Sequence, residues 1–387
     1  MKIFVLLSRI PYPLDKGDKL RAYNQLKVLS TRHEIYLFAL NDSVLNKKAV
    51  DKLASFCKQV YVFQLSKLSI ALNLIRFFCK KKPLQCGYFY NKSAQRKIDT
   101  LLETIKPDHI YAQLIRTAEY VKDKKIKKTL DYQDVFSRGL FRVIKQSSGL
   151  KRFFYSIEYK RVKSYETEIF SYFDNKTIIT KIDRDYINHP NRNEITVVPN
   201  GVNTNFYQPA DCEKQFDLIF TGNMSYMPNV QAAEYIVRMV LPALLKKHPN
   251  IRIVLCGTTP SSRVRALKGK NVVVTGWVED MRLYYAQSRI FIAPMQLGTG
   301  LQNKLLEAMA MQIPCISSPL ASRPLDVVSQ QEIFICNNVQ DYVNAIDMLL
   351  DNTELYKSIA KNGYEYVRKY YNWNSTTNIL ENLIVNI

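Results

Sequence analysis

The residues best suited to chemistry lie between Gly298 and Ser318, in the stretch GTGLQNKLLEAMAMQIPCISS. Its glycines let backbone approach a phosphate, and a helix starting near Asn303 would point free N–H groups at that phosphate. Lys304 would add positive charge, and Glu307, about 6 Å further along the helix, could accept hydrogen bonds from a ribose. The stretch favours a nucleotide diphosphate site, but a surface turn before a core helix explains the local residues equally well.

Three other turns in the second half of the chain follow apolar runs: FTGNMSYMPN (220–229), CGTTP (256–260) and TGWVED (275–280). Ligands of doubly wound sheets bind outside the carboxyl ends of the strands. Backbone in the last turn could border a nucleobase. The predicted donor-binding residues in this half are Gly222, Asn223, Gly257, Trp277, Val278, Thr299, Gly300, Leu301, Gln302, Asn303, Lys304 and Glu307.

The turn after the first apolar run contains Gly17, with Arg21 on the helix that follows. A glycine at this position would permit close approach of a phosphate or sugar, although an ordinary strand–helix turn is the alternative. We therefore add Gly17 to the predicted donor-binding residues. Arg21 is the predicted second source of positive charge for the diphosphate, which makes Arg21, Lys304 and Glu307 the predicted catalytic residues.

A second polar segment of the first half, TLDYQDVFSRG (129–139), follows another short apolar run. Asp131, Gln133 and Asp134 are predicted to contact the acceptor or the transferred sugar. The same side chains could cap the next helix, and we expect at least one of Asp134 and Ser137 to do so.

Short apolar runs alternate with helical patterns along the whole chain, which indicates buried parallel sheets. The predicted strands are 3–7, 34–40, 59–64, 109–112, 128–130, 177–180, 195–198, 217–221, 251–256, 272–275, 290–293, 314–317 and 332–335. Helices are predicted at 19–30, 230–247, 281–286 and 304–311. The alternating series occurs twice, so the fold class is α/β with two Rossmann-like domains.

A length of 387 residues also suits two domains. The segment 199–215, rich in Pro, Asn and Gly, reads as the linker between them. The predicted domains are 1–198, on the acceptor side, and 199–369, which binds the donor. The last segment, 370–387, is predicted to form an amphipathic helix that packs back on the first domain.

The net charge of +21 is concentrated in one half of the chain. Residues 1–200 hold 38 Lys and Arg against 19 Asp and Glu, a balance of +19, and residues 201–387 hold 17 against 15, a balance of +2. The first half is therefore expected to face an anionic partner: a phospholipid surface, a lipid-diphosphate acceptor or nucleic acid. A solvated basic surface is the alternative.

Two segments of the basic half carry apolar or aromatic residues. The first, 65–82, is too short to span a bilayer and suits either an interfacial helix or a buried helix with a basic end. The second, 147–170, favours a helix with one packed and one solvated face over a nucleic-acid stack. Seven scattered cysteines and no run of eighteen apolar residues predict a reducing compartment and no transmembrane span.

Several motifs together resemble family 4 retaining glycosyltransferases, whose GT-B fold has two Rossmann-like domains with parallel sheets facing across a cleft. VVPNGVNTNFY (197–207) is similar to their interdomain motif, and FTGNMSYMPN is similar to the opening of their donor domain. The region 276–318 is similar to their donor site over its whole length. PNV (228–230) and QNKLLEAMAM (302–311) resemble a bacterial subgroup associated with exopolysaccharide gene clusters.

The resemblance assigns Glu307 to the donor ribose and places Thr299 where the family carries another glutamate. Many members also have Arg and Lys after the first strand of the donor domain, but GNMSYMPN here contains no basic residue. Lys304, aided by Arg21, would then neutralise the diphosphate without a metal. We expect no metal ligands and no cofactor other than the nucleotide-diphospho-sugar as co-substrate.

The resemblance implies a cytoplasmic, metal-independent enzyme that transfers a sugar to an acceptor hydroxyl with retained configuration, in surface or exopolysaccharide synthesis. Its expected partners are a nucleotide sugar, a glycan or lipid-linked acceptor and an anionic membrane surface on the inner face of the cell membrane, without nucleic acid. Two alternatives remain open. One is a sugar-nucleotide epimerase or phosphorylase on the same fold, and the other is a basic nucleic-acid-binding protein.

Overall fold

The computed structural model describes residues 1–298 and 300–386 and divides into two compact α/β units. The first unit comprises Met1–Pro199 together with the C-terminal segment that begins at Thr376, and the second unit is Asn200–Ser375. The predicted boundary at 198/199 lies one residue before the observed division. The segment that returns to the first unit begins six residues later than the predicted start at residue 370.

Within the described residues, the first unit contains seven parallel strands in the order β3-β2-β1-β4-β5-β6-β7. They are β1 (Lys2–Leu7), β2 (Glu34–Asn41), β3 (Gln59–Gln64), β4 (His109–Gln113), β5 (Lys128–Gln133), β6 (Asn175–Ile178) and β7 (Thr196–Val197). Its helices are α1 (Gly17–Leu29), α2 (Lys47–Ala54), α3 (Lys67–Cys79), α4 (Leu84–Phe89), α5 (Lys92–Ile105), α6 (Ala118–Val121), α7 (Phe136–Lys145), α8 (Gly149–Glu168) and α9 (Lys181–Tyr186).

The described part of the second unit contains six parallel strands in the order β10-β9-β8-β11-β12-β13. They are β8 (Phe216–Thr221), β9 (Ile253–Cys256), β10 (Val272–Gly276), β11 (Ser288–Ala293), β12 (Cys315–Ser317) and β13 (Phe334–Ile335). Its helices are α10 (Met227–Tyr235), α11 (Leu241–Leu244), α12 (Ser262–Arg265), α13 (Met281–Ala286), α14 (Asn303–Ala310), α15 (Pro319–Ser322), α16 (Val339–Asp351) and α17 (Thr353–Tyr370). The last helix, α18 (Trp373–Val385), leads from the second unit into the first.

All thirteen predicted strands are present, with ends shifted by up to three residues. The central strands are largely apolar because helices cover both faces of each sheet. In the first unit, α1, α2 and α18 bury one face of the sheet, and α5 and α8 bury the other. The two α/β sheets confirm the predicted fold class.

The helix predicted at 230–247 is interrupted. It consists of α10, a π-helical turn at Ile236–Val240, and α11. Pro242 follows this turn, and a proline inside a helix removes a backbone donor and crowds the preceding turn. Pro242 therefore accounts for the interruption, which the helical periodicity of the apolar residues did not predict.

The start of α7 also differs from expectation. Its N-cap is Val135, so neither Asp134 nor Ser137 caps the helix. Instead the buried carboxylate of Glu166, on α8, accepts a hydrogen bond of 3.1 Å from the Ser137 amide. Burial raises the pKa of Glu166 to about 7, and its hydrogen bonds to the first turn of α7 oppose that shift. A distant acid supplies the cap that was predicted to be local.

Candidate donor site

The candidate site is built around the amino end of α14, in the second unit. Gln302 precedes the helix, but its side chain does not cap it. The side-chain nitrogen Nε2 of Gln302 instead donates a hydrogen bond of 3.0 Å to the Gly300 carbonyl. Asn303, the first helical residue, has a buried side-chain oxygen without a partner among the described residues. Leu301 packs against the core of the unit. Thr299 lies outside the described residues.

Lys304 is half-buried beneath the turn that follows β8. Its ammonium group lies 2.5 Å from the side-chain oxygen of Asn229 and 4.6 Å from the centre of the Phe220 ring. Loss of water around this group lowers the pKa of Lys304 to about 7, although the Glu307 carboxylate acts in the opposite direction. The site therefore holds a lysine whose charge responds to a neighbouring anion.

Glu307 lies one turn further along α14, as predicted. Its Oε2 atom accepts a hydrogen bond from the Tyr285 hydroxyl at 3.1 Å, and the Tyr207 side chain also bonds to it. The Tyr285 hydroxyl lies 2.8 Å from Thr221 Oγ1. Burial raises the pKa of Glu307 to about 7, and the contacts with Tyr285 and Lys304 oppose this shift. The tyrosines fix the carboxylate in one orientation.

Two glycines bring the ends of β8 and β9 together beside Lys304. A Cβ atom added to Gly257 would lie 1.8 Å from the Gly222 carbonyl oxygen. A Cβ atom on Gly222 would lie 2.7 Å from Asn229 and 3.2 Å from the Lys304 ammonium group. Both residues have a positive φ, which side chains rarely tolerate. Only glycine therefore leaves this edge of the sheet open.

The other predicted donor residues lie on the same edge. The Asn223 side chain accepts hydrogen bonds from Ser225, while its carbonyl accepts one from Asn229 at 2.9 Å. Trp277 follows Gly276, whose carbonyl bonds to the Gly257 amide at 3.2 Å. The Trp277 ring is 70% exposed, whereas Val278 packs on the core. The described predicted donor residues of the second unit therefore lie at the strand ends, in the loop before α14 and in the first turns of α14.

The first unit requires a correction. Arg21 and Asp131, the predicted catalytic and acceptor residues, are both completely buried and form an ion pair with N–O distances of 2.7 and 3.1 Å. Asp131 also accepts hydrogen bonds from Tyr111 and Thr177. The pair ties α1 to strands β4, β5 and β6 inside the unit. A charge sealed from solvent by its own partner cannot contact a diphosphate, so both predicted roles are wrong in this conformation.

Gln133 and Asp134 follow this pair. Gln133 is buried, and its amide nitrogen has no hydrogen-bond partner among the described residues. The Asp134 side chain reaches the surface. Partial loss of water around its carboxylate, together with the nearby Asp183 carboxylate, raises the pKa of Asp134 to about 6. Their acceptor-side roles remain predictions.

Gly17 begins α1 beside a cavity of about 290 Å³. The cavity lies where β1 and β2 end, and its lining includes three basic residues, Arg9, Lys16 and Lys19. A Cβ atom on Gly17 would meet open space, so no backbone constraint demands glycine there. The predicted residue thus belongs to the first unit, whereas the elements that position Lys304 belong to the second.

A larger cavity, about 410 Å³, lies in the second unit between the first residues of β8 and β11 and the segment that precedes β9. It is at the amino ends of the strands, opposite to the edge where ligands of such sheets bind. Among the described residues, no group of three or more His, Cys, Asp or Glu side chains could hold a metal ion.

Sequence reasoning missed the residues that hold Lys304 and Glu307. Asn229 occupies the place where a basic residue was sought in GNMSYMPN, and Tyr207, Thr221 and Tyr285 come from separate elements. The Pro228–Asn229 pair in the first turn of α10 was the available signal, since it follows the glycine turn on the same sheet edge. The tyrosines had no sequence signal because their contacts are long-range.

Comparisons with known proteins agree with this architecture. Residues 215–352 match the family described as "Glycosyl transferases group 1". The chain is 25% identical over 395 residues to a Klebsiella pneumoniae protein described as an "Uncharacterized 44.6 kDa protein in cps region", covering 96% of both chains.

Solved structures share the fold at low identity. The Anabaena Alr3699/HepE structure with UDP and glucose has a TM-score of 0.70 and 13% identity, covering 100% of both chains. Sucrose-phosphate synthase from Thermosynechococcus elongatus has a TM-score of 0.67 and 14% identity, covering 99% of this chain and 98% of the other. The chain therefore has the GT-B fold of these solved structures, and its residues 215–352 are similar to the glycosyl transferases group 1 family.

Proposed function

We propose that this protein transfers a sugar from a nucleotide-diphospho-sugar to an acceptor hydroxyl with retention of configuration. The observation that carries the proposal is the placement of Lys304 and the amino end of α14 beside the glycine-only edge formed by Gly222 and Gly257. That edge has room for backbone contact with a diphosphate, and the lysine and the helix amides supply positive charge there. Solved relatives of the same fold are described as complexes with UDP and with UDP-glucose.

The charge on Lys304 would act on the leaving group. When the bond between the sugar and the diphosphate breaks, negative charge develops on the diphosphate, and donors already fixed at that point stabilise the transition state. Lys304 is held by Asn229 and Phe220, so little reorganisation is required. This arrangement supports a reaction that needs no divalent metal.

Glu307 would bind the donor ribose. Tyr285 and Tyr207 orient the carboxylate, and burial makes its hydrogen bonds to ribose hydroxyls stronger than they would be in water. Trp277 and Val278 would border the base.

The acceptor is proposed to be a glycan or a lipid-linked sugar, and the product a surface polysaccharide. The Klebsiella pneumoniae relative is described by its position in the cps region, which supports a role in capsule synthesis. The cavity beside Gly17 is lined by Arg9, Lys16 and Lys19 together with Asp15 and Asp42, a slight excess of positive charge that suits an acceptor carrying phosphate. We propose a cytoplasmic location, where nucleotide sugars are made.

Calorimetric titration with UDP, GDP, ADP and their common sugar conjugates tests this site. One nucleotide should bind, and Lys304→Ala should weaken its binding by about tenfold to a hundredfold, as expected for loss of a charged hydrogen bond. Glu307→Ala should weaken nucleotide binding but leave binding of inorganic pyrophosphate unchanged. Lys270→Ala is the matched control, because this exposed lysine precedes β10 at the other edge of the sheet.

Equal nucleotide affinity in the wild type and both variants would reject the site. NMR of the donor without any acceptor separates the proposed transferase from an epimerase, which would convert the sugar unaided. Retention is read from the anomeric configuration of the glycoside product.

A further inference from the structure

Helix α3 is apolar but largely uncovered. Leu68, Leu72 and Ile75 recur at the spacing of one helical face, and each is 60–72% exposed. Phe77 is the one buried residue of the helix. The exposed apolar face is therefore a property of this helix and not the edge of the core.

Helix α8 presents a second exposed apolar group at its amino end. Leu150, Phe153 and Phe154 are 58–78% exposed. Leu150, Phe154 and Ile157 share one side of the helix with Arg161, since they are spaced by four, three and four residues.

Arg161 joins the two helices. Its guanidinium group donates to the Phe78 carbonyl at 3.2 Å and lies 4.5 Å from the centre of the Phe78 ring, at the end of α3. Glu158, one turn earlier on α8, accepts a hydrogen bond from the Leu84 amide just after α3. These contacts hold the carboxyl end of α3 and the residues after it against α8 within the first unit.

Positive charge dominates α3 and the amino end of α8. Helix α3 and the first nine residues of α8 contain no acidic residue. Basic residues flank the apolar side chains throughout: Lys67, Arg76, Lys80, Lys81, Lys151, Arg152 and Lys160. An apolar face bordered by lysine and arginine is typical of helices that lie in the headgroup region of an anionic membrane.

We infer that the exposed face of α3 and the amino end of α8 form a membrane-docking surface for an anionic phospholipid bilayer. Leucine and phenylalanine side chains enter the boundary between headgroups and acyl chains, and the lysines contact the phosphates. Contiguous exposed apolar surface marks a partner-binding region, and the charge complementarity here selects a lipid surface over an apolar protein groove. Among the described residues no helix could cross a bilayer, so binding would be at the surface.

Flotation with lipid vesicles tests the inference. The full chain should float with vesicles of phosphatidylcholine and phosphatidylglycerol in equal parts, and much less with phosphatidylcholine alone. Leu72→Ser/Ile75→Ser and Phe153→Ser/Phe154→Ser should each lower partitioning by about tenfold or more, because they remove apolar area that enters the bilayer. Lys80→Gln and Lys151→Gln should each lower it by about fivefold, and high salt should have the same effect.

Met239→Ser is the matched control, because Met239 is similarly exposed but lies in the second unit. It should float like the wild type, and unchanged circular dichroism should show that every variant is folded. Equal flotation of the wild type and the α3 and α8 variants would overturn the inference. A wild-type dimer that these substitutions convert to a monomer, without vesicle binding, would overturn it as well. The assay contains no nucleotide, so its result is independent of the proposed catalytic function.

Discussion

Two basic residues that looked alike in sequence have opposite environments. Arg21 is sealed against Asp131, whereas Lys304 is only half-buried and touches a neutral amide. Residue type and position after a strand identified both as candidates to bind a diphosphate. Whether the charge of each is available to a ligand depends on its partner in the fold. The partner of Arg21 is 110 residues away in the chain, and sequence spacing carries no information about such a contact.

Donor binding should depend on pH through Lys304. With a pKa of about 7 in the free protein, this lysine loses its charge as pH rises, so affinity for the diphosphate should fall above pH 7 by up to about tenfold per unit. Bound anion favours the protonated lysine, so binding at about pH 8 should take up a proton. Calorimetry in buffers of different ionisation enthalpy measures this uptake.

Glu307 should make the affinity for the donor fall on the acid side of the pH profile. Its pKa of about 7 means that it becomes protonated at lower pH and accepts hydrogen bonds less well. A nucleotide sugar is the suitable ligand, because its diphosphate has no proton that titrates near neutrality. Lys304→Met should abolish the alkaline limb and Glu307→Gln the acid limb. A flat profile in the wild type would contradict both assignments.

The Arg21–Asp131 pair should matter for stability. Asp131→Ala leaves a buried guanidinium group without its counter-ion, which should cost about 3–5 kcal/mol. Asp185→Ala, which removes an exposed acid beside Arg184, should cost less than about 1 kcal/mol. Urea unfolding followed by a probe in the first unit measures both changes. Asp131→Ala as stable as the wild type would show that the pair is dispensable, and Arg21→Met/Asp131→Leu should recover part of the loss.

At the level of elements, strands were easier to predict than helix ends. Most strands are short, largely apolar runs in the core, so composition alone identifies them. Helix ends depend on caps that can come from distant parts of the chain, as Glu166 of α8 does for α7. In the same way, a hydrogen-bond donor to Glu307, Tyr285, comes from outside α14. The amino end of α14 was predictable because glycine, lysine and glutamate all lie within one local stretch.

Helix α18 provides a further test at this level. Leu380 is fully buried in the core of the first unit, whereas its neighbour Ile379 is exposed. Leu380→Ala should therefore lower the free energy of unfolding by about 2–5 kcal/mol, because it leaves a cavity. Ile379→Ala on the same helix should change it by less than about 1 kcal/mol. Equal effects of the two substitutions would contradict the packing of α18 on this unit.

For the whole molecule, composition indicated the two-unit plan and the location of the excess charge. The balance of +19 in residues 1–200 predicted an anionic partner, but composition gave no surface for it. The structure locates part of that charge beside the uncovered side chains of α3 and α8. That α3 and α8 are neighbours could not be predicted, because it depends on the Arg161–Phe78 contact between separate helices.

The path of the chain has a consequence for synthesis. Strand β1 is made first, but α18, which covers it, follows the entire second unit. At ribosomal rates of about 5–20 residues per second, Glu381 is made roughly 20–70 s after Arg32 and His33, the two residues that its carboxylate contacts. Throughout that interval α1 and α2 can already cover their share of this face, but the apolar surface that α18 buries stays exposed, so the nascent chain is a candidate for binding by a ribosome-associated chaperone.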